Sequence, residues 1–176
     1  ERQLGYPGRF DADLAAREPR AQELFRRIED LKDAARRFMT VKAVWQFFPA
    51  ERDANAIRLF SSGGTTPIHT FQFGRSPGSD GLCLSDFVQD PQAGRRDHLA
   101  VFVASAGAGV LDQSETWKQS GEVFNSHAIQ ALAVATAEAG AEWLHRRIRE
   151  DWGFPDPSSM TMKDRFSAKY RGKRYS

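Results

Sequence analysis

TVKAVWQFFPAERDANAIRLF, residues 40–60, is the stretch whose reading decides the fold. β-Branched and aromatic residues dominate its first half, RDAN breaks the run, and AIRLF resumes it. Two extended segments around so short a polar break predict an antiparallel hairpin over residues 42–60. Further along, PIHTFQF at 67–73 predicts a third strand, and the GRSPGSDG that begins at Gly74 predicts a loop. LAVFVAS, residues 99–105, is a nearly continuous apolar run, which predicts a central strand covered on both faces.

Helical patterns lie on either side. Glu18-Pro19 puts proline at a first helical position, and Ala21, Leu24, Phe25, Ile28, Leu31, Ala35 and Phe38 follow at helical spacing. A second, longer helix is expected from about Gly121 to Asp151. Its expected packing stripe is Phe124, Ala128, Ala131, Leu132, Ala135, Ala139 and Trp143, and so much alanine predicts a close neighbour. GFPDPSS, residues 153–159, ends that pattern and leads into a polar tail. No internal repeat is present. Strands grouped together with helices before and after predict a single α+β domain over residues 1–176, with a twisted, mainly antiparallel sheet and flanking helices.

The composition excludes several classes. Basic and acidic residues nearly cancel, 25 against 23, so no strong field points to nucleic acid or an anionic membrane. One cysteine, Cys83, permits neither an internal disulfide nor a cysteine-based zinc site and suits a cytoplasmic protein. No apolar run approaches the roughly 18 residues of a membrane span.

The chemistry-bearing motifs are sparse. SAGAG, residues 105–109, follows a strand as a phosphate-binding turn would. The dinucleotide fingerprint, however, requires a third glycine where Asp112 stands, and no Gly-Lys-Ser/Thr completes a P-loop. A tight turn using left-handed glycine geometry is the expectation. His69, His98, His127 and His145 form no HExxH, and Cys83 in GLCLSDF has the setting of a small core residue. Glu138, Glu142 and His145 share one helical face, where pairing with neighbouring arginines is expected rather than a metal. Glu138 stands apart because AVATAEAGAEW offers few side chains to cover it, so its carboxylate is either simply solvated or open to a bound cation. No catalytic constellation is complete.

Five blocks taken together carry a family resemblance: FFPAERDANAIRLF, GLCLSDFV, HLAVFVASAG, AEAGAEWLHRRIREDWGF and KYRGKRYS, in this order and at this spacing. In these blocks the chain resembles the C-terminal reactivation domain of cobalamin-dependent methionine synthase, from about Leu4 to Ser176. The resemblance implies a domain that binds S-adenosylmethionine and presents its methyl group to cobalamin when inactive cob(II)alamin is reductively methylated. The cobalamin would be held by a neighbouring domain of the same enzyme. A flavodoxin-like partner would donate the electron, and zinc would belong to another part of the parent enzyme. The parent transfers a methyl group from methyltetrahydrofolate to homocysteine.

The family's ligand arginine falls on Arg174, whose planar fork suits a carboxylate, and a family carboxylate falls on Glu138. In relatives YRGxR runs on into GYPACP. The resemblance therefore implies a chain truncated at both ends and weak ligand binding by this piece. Many relatives carry Asp-Arg where Val134-Ala135 stands here, which bears on docking. The competing reading is a stand-alone binding module whose basic tail, KYRGKRYS, meets an acidic partner such as nucleic acid.

Overall fold

A computed structural model describes residue 4 and residues 6–78 and 80–172. The elements run α1 (Phe10–Ala15), α2 (Pro19–Ala35), β1 (Thr40–Asp53), β2 (Ala56–Phe60), β3 (Pro67–Gln72), β4 (Asp97–Ala108), α3 (Val110–Gln119), α4 (Val123–Asp151) and α5 (Met162–Phe166). The four strands form one sheet in the order β3-β2-β1-β4, and the β1–β2 and β2–β3 pairs are antiparallel. This is the α+β architecture expected. The chain divides into two compact units, residues 44–103 and residues 1–43 with 104–176, and passes from one to the other within β1 and again within β4.

The unit of residues 44–103 is built on the predicted hairpin. Ala50 pairs with Leu59 and Asp53 with Ala56, leaving Ala54 and Asn55 as the turn. Ala54 takes a left-handed φ of 50°, and its carbonyl accepts from Ser85 Oγ at 2.8 Å. Ala50, Ile57, Leu59 and Val88 make the buried core, with Phe48, Phe71, Phe73, Leu99 and Val101 packed around them. Cys83 is buried, as its neighbours implied, with its Sγ 3.2 Å from Ser85 Oγ.

LAVFVAS does not form a central strand. It lies in β4, at one end of the strand order, and Val103 is 63% exposed. A short apolar run shows that some of its residues are buried, and Leu99 and Val101 are indeed packed. It cannot show how many strands flank it.

In the other unit, α2 begins at Pro19 as predicted but ends at Ala35, so Phe38 packs from beyond the helix, edge-on to Trp117 at 6.1 Å. Leu31, Ala35, Val110, Ala128, Ile129 and Ala133 form the core. Small residues let α3 and α4 approach closely, and Ser114 and Ser126 hydroxyls meet at 2.9 Å. Gly109 has φ 76°, the left-handed geometry predicted for SAGAG, and opens α3.

The expected α4 stripe is half wrong. Phe124, Ala128 and Leu132 pack, whereas Ala135, Ala139 and Trp143 are exposed, Trp143 by 64%. The buried line is Ile129, Ala133, Ala141, Leu144 and Ile148. Alanines occupy two faces of this helix, so they do not identify the packed one, and the bulky Leu and Ile positions decide it. Among the described residues no helix is long and apolar enough to cross a membrane.

Candidate functional site

α4 carries the candidate residues along one face. Positions 138, 142, 145 and 149 are spaced four, three and four, so they stack over about three turns. Exposure falls along the row: Glu138 is exposed, Glu142 and His145 are half-buried, and Arg149 is 3% exposed. Around Glu138 the helix is lined by Ala137, Ala139, Gly140 and Ala141. A Cβ on Gly140 would sit 3.2 Å from Val41 Cγ1, a tight contact that a larger residue would make only by shifting Val41. The Glu138 carboxylate makes no hydrogen bond or ion pair among the described residues. Arg174, the other predicted site residue, lies outside the described residues.

At the far end of the row is a cluster the sequence reading missed. Arg149 Nε and Nη2 donate to Asp156 Oδ1 and Oδ2, each at 2.8 Å, in a fork-to-fork pair. Both side chains are almost fully buried. Arg165 Nε donates to the same carboxylate at 3.1 Å and joins α5 to it. The Arg149 guanidinium lies 3.9 Å over the Tyr170 ring, and the His145 ring meets that tyrosine edge-on at 5.1 Å. Arg149 Nη1 approaches His145 Nδ1 at 3.0 Å. A guanidinium can only donate, so Nδ1 accepts and the neutral ring carries its proton on Nε2.

Protonation follows from these contacts. Burial first, then the Arg149 charge, lowers the His145 pKa to about 4, with the Asp156 charge acting the other way. The hydrogen bonds from Arg149 hold the Asp156 carboxyl below the usual carboxylate range despite its burial, and Arg165 adds to this. These groups are locked in fixed charge states, which suits holding and orienting rather than proton transfer. Among the described residues no cluster of three or more His, Cys, Asp or Glu is arranged to hold a metal ion.

This cluster ties down the start of the closing block KYRGKRYS. Tyr170 is 6% exposed, Arg171 lies 5.2 Å over the Phe154 ring, and Gly172 takes φ 100°. Asp156 between two prolines in GFPDPSS was the visible signal. Its partners stand 7 and 9 residues away, however, and no local rule pairs them. A separate cavity of about 230 Å³, lined by Arg27, Asp30, Leu31, Ala34, Trp117 and Asn125, does not include Glu138.

Comparison with known proteins bears on the whole arrangement. The family model described as "Vitamin B12 dependent methionine synthase, activation domain" matches residues 5–176. A solved structure described as "Crystal Structure of the MetH Reactivation Domain bound to AdoHcy" aligns with a TM-score of 0.86 at 25% sequence identity. The alignment covers 99% of this chain and 57% of that one, so the chain spans little more than half the length of that relative. With the family model matched across nearly its full length, the chain belongs to the activation-domain family of vitamin B12-dependent methionine synthase.

Proposed function

We propose that the chain binds S-adenosylmethionine between Glu138 on α4 and Arg174 in the tail, and presents its methyl group to cobalamin held by a neighbouring domain of the same enzyme. One observation carries the reading: the tail is pinned, at Tyr170, to the helix that displays Glu138 uncommitted in solvent. Seven helical residues separate His145 from Glu138, a rise of about 10 Å. Four residues separate Tyr170 from Arg174, a reach of at most about 14 Å. The reading has the tail run back along α4, so that one small ligand meets both residues. The AdoHcy named in the aligned structure's description supports a ligand of this class.

The residues suit the ligand's amino-acid end. An exposed carboxylate with no partner among the described residues complements its ammonium, and a guanidinium fork complements its carboxylate. When bound, S-adenosylmethionine supplies an electrophilic sulfonium methyl, which needs aiming at reduced cobalt more than it needs an acid or base. The chain's part is accordingly to bind and orient. In this reading the electron comes from a flavodoxin-like donor, and the cobalamin, zinc, folate and homocysteine sites belong to other domains. The nucleic-acid reading of the tail loses ground because Tyr170 faces inward onto Arg149 instead of outward for stacking.

The test is reactivation in trans. Added to a synthase core that lacks this domain and has been oxidatively inactivated, with an electron donor and S-adenosylmethionine in large excess to offset the weak binding expected of this piece, the chain is expected to restore homocysteine methylation. The chain alone is expected to methylate no homocysteine. Methylation by the isolated chain, without a cobalamin protein, would overturn the assignment.

A further inference from the structure

Among the described residues that follow α4, Tyr170 is the only one buried as a whole residue, and the Asp156 side chain is buried as well. Most of residues 152–172 is otherwise exposed or half-exposed, so the attachment of this segment is concentrated in a few contacts. Those contacts converge on Arg149. Its fork takes both oxygens of Asp156, whose carboxylate also holds Arg165 of α5, and its flat face carries Tyr170. We propose that Arg149 and Asp156 are positioning residues for the ligand-binding tail: their pair presents the surface on which Tyr170 sits and so sets where the chain beyond Tyr170 runs.

The ligand part of this inference rests on the reading of Arg174 as a ligand residue. The attachment part does not. A buried ion pair is seldom the most stabilising way to fill its volume, since apolar side chains of equal size often do as well or better. What this pair supplies is direction. A bidentate fork fixes the guanidinium plane, and a fixed plane fixes the ring stacked on it. Lysine would keep the charge but offers neither fork nor face. Arg149 is also on the same helix as Glu138, so the one residue references the tail to the helix bearing the opposite half of the site.

The experiment uses the 176-residue chain with Tyr170→Leu, Tyr170→Phe, Asp156→Asn and Arg149→Lys. Amide hydrogen exchange is read at residues 168–172, with residues 126–133 of α4 as the internal control. Exchange at 168–172 is expected to speed up at least tenfold in Tyr170→Leu, Asp156→Asn and Arg149→Lys, with 126–133 unchanged. Tyr170→Phe, which keeps the ring face, is expected to retain most of the protection. In titrations with S-adenosylmethionine, Tyr170→Leu is expected to weaken binding about tenfold, but less than twofold when Arg174→Ala is already present, because both act through one residue.

Unchanged exchange at 168–172 in Tyr170→Leu overturns the proposal, as do fully additive losses in the double variant. If the unaltered chain binds no S-adenosylmethionine, the proposed function fails, and the exchange result alone decides whether the tail is positioned by this pair. If Asp156→Asn does not fold, Tyr170→Leu carries the test, since it leaves the ion pair intact.

Discussion

At Gly109 the chain turns from β4 into α3 with φ 76°, and a Cβ there would stand 2.9 Å from the Phe38 carbonyl oxygen. Gly109→Ala combines a left-handed non-glycine residue with a clash against backbone. It is expected to lower stability by about 1–3 kcal/mol in urea denaturation. SAGAG announced this glycine because the constraint is local. Nothing local announced Arg149, whose partners at Asp156 and Tyr170 meet it only in three dimensions. His145 shows the consequence in its titration. The folded state holds its pKa at about 4, below the ordinary histidine value near 6.5. Above pH 6.5 the ring is neutral in both states and its contribution to stability is complete. As the pH falls from 6.5 towards 4, the unfolded chain binds a proton that the folded chain refuses, so stability declines. His145→Gln keeps an acceptor for Arg149 but cannot titrate, and unfolding curves at pH 7.5, 6 and 5 are expected to show a flatter dependence.

Among the elements, α4 separates what periodicity reveals from what it hides. Its existence and its end at Asp151 were legible, since Gly153 and two prolines follow. Its packed face was legible only over the first turns, where Phe124, Ala128 and Leu132 combine bulk with spacing. Beyond Ala133 alanines line both sides, and the buried row passes to Ala141, Leu144 and Ile148. Leu144, fully buried, is expected to cost about 2–5 kcal/mol as Leu144→Ala. Trp143→Gln, on the exposed side, is expected to stay within about 0.5 kcal/mol, with both read from denaturant midpoints. β4 teaches the same lesson for strands. Its apolar run predicted a strand correctly, yet its place at the end of the sheet order depends on which strands the rest of the chain supplies.

For the molecule as a whole, the α+β class followed from residues 40–60 and the helices around them, and the family followed from five blocks that carry no catalytic signature. Of the proposed site, only the uncovered position of Glu138 was legible. Glu138 drew notice because small neighbours leave it uncovered, and it is exposed with no partner among the described residues. Its proposed counterpart Arg174 rests on the family resemblance, and the cluster that pins the tail emerged only from the fold. A charged hydrogen bond to a held partner is worth about 1.5–3 kcal/mol, so losing either ligand residue is expected to weaken binding roughly 10- to 150-fold. The most direct measurement is an S-adenosylmethionine titration followed by amide chemical shifts, which locates even a weakly bound ligand. The account predicts saturable shifts centred on α4 around Glu138 and on residues 169–176, strongly weakened by Glu138→Gln and by Arg174→Ala. Shifts centred on residues 44–103, or saturable binding that neither substitution alters, would contradict it.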